Sequence, residues 1–108
     1  MILTPKNWHL TEYTPGSWTS LVAELQTVIV SSMIMSNVST TTANISVRVG
    51  NGTNKLATII PLKPVAPNSS FTLDLRSSNL MPGQTVDVLV DVAGAEFLVS
   101  GAIDTGIS

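Results

Sequence analysis

From Thr27 onward, apolar and polar residues alternate with the period of two expected of β-strands, interrupted at regular spacing by turn residues. Val28-Ile29-Val30 through Met33-Ile34-Met35 is a β-branched and apolar run ending at Ser36-Asn37. Asn44 to Val49 alternates strictly, with Ile45, Val47 and Val49 on one face. The cluster Gly50-Asn51-Gly52-Thr53-Asn54 predicts a hairpin turn, because Gly and Asn tolerate positive φ. Leu56 to Leu62 follows, then Pro64 and a turn at Pro67-Asn68-Ser69. Phe71, Leu73 and Leu75 alternate with Thr72 and Asp74, and Met81-Pro82-Gly83-Gln84 has the Pro-Gly order of a type II turn. The last pair of runs predicts a hairpin. Val86, Val88, Val90 and Val92 face one way, Ala93-Gly94 reverses the chain, and Ala95 to Ala102 returns with Phe97 and Val99 inward.

About six such runs without a helical period predict an all-β chain. The expected architecture is a single antiparallel β-sandwich or jelly-roll-like domain of about six to eight strands over residues 26–108. Residues 1–25 precede it as an N-terminal extended arm or an extra edge strand. Only Trp18 to Gln26 could be stretched to fit a helix, and an extended reading serves at least as well there.

Two places break the simple pattern. The Thr27–Val38 run is apolar on both faces, with Val28, Val30 and Ile34 on one and Ile29, Met33 and Met35 on the other. It is either a central strand with its second face under a loop, or a strand whose second face contacts another subunit. The first 25 residues hold Trp8, Tyr13 and Trp18 with little alternation, and they carry Pro5 and Pro15-Gly16. Aromatics outside the strand pattern anchor either the chain's own core or a neighbour. An arm docked on an adjacent subunit is favoured over an edge strand closing its own sandwich. Trp8, Tyr13, Trp18, Ile29, Met33 and Met35 are therefore the candidate interface residues.

Composition limits what such a domain can do. In 108 residues, 44% are hydrophobic and 11% charged, against roughly 25% charged in a typical soluble domain. Ser, Thr and Asn must therefore supply most of the polar surface, and a lightly charged surface favours association. Net charge is −2, and Lys6, Arg48, Lys55, Lys63 and Arg76 are scattered, so no basic footprint for nucleic acid is formed. The absence of cysteine excludes disulfides, thiolate metal sites and a Cys nucleophile. The start of the chain lacks the pattern of a signal peptide, and no apolar run approaches the ~20 residues of a membrane-spanning helix.

A search for chemistry finds little. His9 is the only histidine and sits in the irregular segment, so neither a paired-histidine metal motif nor a triad is spelled out, and no cofactor is expected. Asp87 and Asp91, four apart on a strand, would stand about 13 Å from each other, too far to share a proton or a metal. They are expected to be solvated on an outer face. Asn37, Asn44, Asn51 and Asn68 begin Asn-x-Ser/Thr sequons, expected by coincidence in so Ser/Thr/Asn-rich a chain. Gly50-x-Gly52 opens no helix and reads as a turn, not a phosphate loop. A non-enzymatic role is expected.

The segments follow in the order Val28-Ile-Val-Ser-Ser-Met-Ile-Met-Ser-Asn-Val-Ser39, Ala43-Asn-Ile-Ser-Val-Arg-Val49, Ile60-Pro-Leu62, Ala66-Pro-Asn-Ser-Ser70 with Phe71-Thr-Leu73, Leu80-Met-Pro-Gly-Gln84 and Val86-Asp-Val-Leu-Val90. This order resembles small β-sandwich virion proteins of tailed bacteriophages, of the capsid decoration (cement) or neck and tail type. It covers roughly residues 27 to 104, and Gln84 stands where the pattern more often has Asp. It implies a late structural protein, made in the host cytoplasm and located in the virion. Its partners would be the major capsid protein or other virion proteins and its own copies, as a homo-oligomer, often a trimer, without nucleic acid or membrane. Copy number separates the head position (hundreds) from the neck or tail (tens or fewer). A carbohydrate-binding or adhesin module is the alternative from another class.

Overall fold

The computed structural model describes residues 2–52 and 54–106, so Thr53 of the predicted Gly50–Asn54 turn lies outside the described residues, as do Met1, Ile107 and Ser108. The strands are β1 (Leu3–Leu10), β2 (Thr19–Ala23), β3 (Val28–Asn37), β4 (Ala43–Gly50), β5 (Lys55–Val65), β6 (Ser69–Leu80), β7 (Thr85–Val90) and β8 (Ala95–Asp104). They form two four-stranded antiparallel sheets, sheet I in the order β1-β8-β3-β6 and sheet II in the order β2-β7-β4-β5. Eight strands wound this way make a jelly-roll sandwich. The molecule is elongated, 48 × 25 × 22 Å. No helix occurs among the described residues, so none is long and apolar enough to cross a membrane.

Only β4 and β5 follow each other within one sheet; every other connection crosses between sheets. This corrects the predicted β7–β8 hairpin. Val88 pairs with Val47 in sheet II, whereas Val99 pairs with Met33 and Trp8 in sheet I. Val86, Val88, Val90, Phe97 and Val99 are all buried, as the alternation requires, but the two strands contribute to opposite walls of the core. Alternation specifies which side of a strand is apolar and says nothing about which strand lies beside it.

The doubly apolar run resolves through a β-bulge. Between Val30 and Ser32 the register of β3 shifts against both β8 and β6. One extra residue moves the inward side from even to odd positions. Val28, Val30, Met33 and Met35 all enter the core, and Ile29 and Ile34 turn to the outer face of sheet I. The predicted grouping of Ile34 with Val28 and Val30, and of Ile29 with Met33 and Met35, is therefore corrected.

The first 25 residues form two strands of the same domain. β1 pairs along its whole length with β8, and β2 pairs with β7. Sandwich closure uses this segment directly, since Trp8 is buried in the core and Leu21 and Val22 join it.

Candidate assembly surface

The six candidate interface residues do not share one surface. Met33 and Met35 are fully buried within the chain's own core and present nothing to a partner. Trp8 is also buried; its Nε1 donates to Glu24 Oε1 at 3.0 Å, and Lys6 lies over its ring and pairs with the same carboxylate. Tyr13, half-buried in the β1–β2 loop, donates from its hydroxyl to Val92 O at 2.6 Å and accepts from Ala95 N at 3.0 Å. It thereby pins the crossing between β7 and β8. Burial pushes the Tyr13 phenol up, the bond from Ala95 opposing and the Asp91 charge adding to the shift. Ile29 is half-buried on the outer face of sheet I. Of the six, Trp18 is the most exposed, at 38%.

Trp18 serves a local purpose. Its ring stacks on the Arg48 guanidinium, 4.2 Å from the ring centroid, and Arg48 Nε donates to Asp87 Oδ2 at 2.9 Å. Asp87 also accepts from Ser20 Oγ at 2.8 Å and is only 2% exposed. The expectation of a solvated Asp87 is thus corrected. Arg48 stands directly opposite it on β4, so the charge is paired, and the β1–β2 loop brings Trp18 over the pair. Asp91 behaves as expected at the surface, accepting from Asn44 N at 2.8 Å and from Asn44 Nδ2 at 2.7 Å. These two bonds, the side-chain one foremost, hold its carboxyl below the usual range.

Glu24 joins the edges of the two sheets. The bond from Lys6 and then that from the Trp8 indole hold its carboxyl below the ordinary glutamate range. A lowered folded value contributes stability above the ordinary range and loses it as pH falls through the folded value. Because Lys6 is substantially exposed, the contribution is expected to stay under about 1 kcal/mol. The difference in urea midpoint between the native chain and Glu24→Gln should shrink on acidification from about pH 6 to pH 3. A difference independent of pH would contradict this role.

His9 lines a shallow depression of about 340 Å³ on sheet I with Thr11, Ile34, Ser36, Glu96, Phe97 and Leu98. No group of three or more His, Asp or Glu side chains able to hold a metal ion occurs among the described residues. Among the sequons, Asn37 is buried, so a glycan there is incompatible with the folded chain.

Large exposed apolar side chains occur where sequence reasoning did not look. Leu25 (88% exposed), Met81 (58%), Ile2 and Leu3 all lie at one end of the sandwich. That end is stitched by Glu24 O to Gly83 N (3.3 Å), Thr27 O to Asp104 N (3.0 Å) and Ile2 O to Thr105 N (2.9 Å). The Met81–Gln84 turn closes as predicted, Gln84 N donating to Met81 O at 3.0 Å. Leu25 lies between Glu24 and Gln26, and Met81 between the end of β6 and Pro82-Gly83, so no strand periodicity marks either. The available signal was an apolar residue at an exposed loop position.

No protein-family model and no curated protein matches the chain. What defines its class is the fold, a β-sandwich of jelly-roll order.

Proposed function

We propose that the chain is a structural protein of a tailed-phage particle, a capsid decoration protein that attaches to the major capsid protein and stabilises the head. The observation that carries this reading is the set of exposed apolar side chains, Ile2, Leu3, Leu25 and Met81, at one end of a lightly charged sandwich. The segment order described above agrees with a part that works by being built in. Seating this end on a lattice would bury apolar surface worth roughly 1.5–3 kcal/mol for each fully covered side chain. Association costs at least ~4 kcal/mol of lost freedom, so one such contact holds weakly. Several linked copies on one lattice would hold by avidity.

Purified protein added to heads that lack it should bind and raise their thermal resistance. The double variant Leu25→Asp/Met81→Asp should fold, because both side chains are exposed, and should lose head binding. Retained binding by that variant would place attachment elsewhere, and no binding by the native chain would remove the capsid reading.

A further inference from the structure

We infer that two copies of this chain associate edge to edge through β6, antiparallel about a twofold axis at Thr72. This contact deepens the reading above, whose self-association it assigns to a surface.

The sandwich has four free strand edges, and three are guarded. β1 carries Pro5 and Lys6, β2 has five residues with a register shift, and β5 carries Pro61, Pro64, Lys55, Lys63 and three register shifts. Prolines, lysines and bulges are the devices that keep edges from pairing with other chains. β6 lacks them over residues 69–74, which pair with β3 in unbroken register from Ser69↔Asn37 to Asp74↔Ser32. Irregularity begins only beyond Asp74, where Arg76 takes φ +53°.

The core is only partly covered on this flank, where Lys63 of β5 lies over the Phe71 ring, 5.2 Å from its centroid. Phe71 and Leu73 stand opposite Met35 and Met33 and so point inward, yet they remain only half-buried. Across the mouth, Ile59 and Ile60 on β5 are half-buried, and Leu62 is 64% exposed. The opposite flank, between β1 and β2, is closed by buried Trp8. An unguarded edge beside an unfinished core fits another sandwich of the same kind.

Parity and pairing select the register. A twofold axis through the sheet must place like faces opposite, so each residue meets one an even number of positions away. Centring on Thr72 sets Phe71 against Leu73 of the copy, Ser70 against Asp74, and Thr72 against itself. Apolar then meets apolar, hydroxyl meets carboxylate, and no like charges oppose. Centring on Phe71 would instead set Leu73 against Ser69 and leave Asp74 outside the run.

The absence of cysteine makes the test clean. Thr72 is exposed on the outer face, so its variants should fold. In Thr72→Cys, mild oxidation should give a disulfide-linked dimer, because the axis brings the two residues together. Sedimentation of the native chain should show reversible dimers. Thr72→Lys and Thr72→Glu alone should each weaken the dimer about five- to tenfold, and their equimolar mixture should recover native affinity. A monomeric native chain, or dimers unaffected by either charge, would overturn the inference. All these measurements use the chain alone, so their outcome is separate from head binding.

Discussion

Gly101→Ala is expected to lower the midpoint of thermal unfolding by about 15 °C, a loss of about 3 kcal/mol. Gly101 lies in β8 between Lys6 of β1 and Val30 of β3, at the position where β3 bulges. A Cβ there would stand 2.1 Å from the Ile29 carbonyl oxygen, and 3.1 Å from both the Ile29 carbonyl carbon and Val30 Cα. All three are backbone atoms of a central strand, so no side chain can swing away. Relief requires β3 to move off β8, which disturbs the bulge that turns Met33 and Met35 into the core. Ser100→Ala, one position away and half-buried, should stay within about 0.5 kcal/mol. Equal effects of the two substitutions in chemical denaturation would show that the close approach does not govern this strand pair.

Asn37→Ala should cost about 3 kcal/mol, read as a lower urea midpoint with unchanged slope. Asn37 is 1% exposed, and its amide is used on both sides. Nδ2 donates to Thr41 O at 2.8 Å and Val65 O at 2.9 Å, with Ala66 O at 3.3 Å. Oδ1 accepts from Ser39 N at 3.0 Å and Ser39 Oγ at 2.6 Å. One side chain therefore ties the β3–β4 loop to the end of β5. Alanine would leave several of these groups without partners, each costing about 1–3 kcal/mol where water cannot reach. Asn37→Asp should be at least as harmful, since it keeps the acceptor and turns a carboxylate oxygen toward three carbonyls. A loss below about 1 kcal/mol would mean that the loop is held mainly by the bond from Val38 N to Gly94 O.

The two residues show where sequence patterning stops. The strand positions from β3 onward, the β4–β5 hairpin, the Met81–Gln84 turn and the inward direction of Phe97 and Val99 follow from short-range alternation and turn chemistry, whereas β1 and β2 show too little alternation to be read. The β3 bulge does not, because it depends on a glycine about seventy positions away allowing the backbones to approach. The exchange of sheets between β7 and β8 is equally silent, since both topologies need the same inward valines. Asp87 reads as a surface charge until Arg48 and Trp18 are placed beside it by long-range pairing. Asn37 reads as one of four sequons until its loop closes around it. Of the candidate interface residues, Met33 and Met35 lie in the core, because the bulge between Val30 and Ser32 reverses the parity that alternation alone gives them. Leu25 and Met81 are not legible, because residues in the turns between strands carry no period.

The role proposed for this chain is that of a repeated part of a phage particle. Its most direct test is quantitative mass spectrometry of phage particles purified from a lysate that contains the chain, with copy number set against the major capsid protein. Hundreds of copies per particle are expected for a head decoration protein. Tens or fewer would move it to the neck or tail, and its absence from particles would contradict the claim.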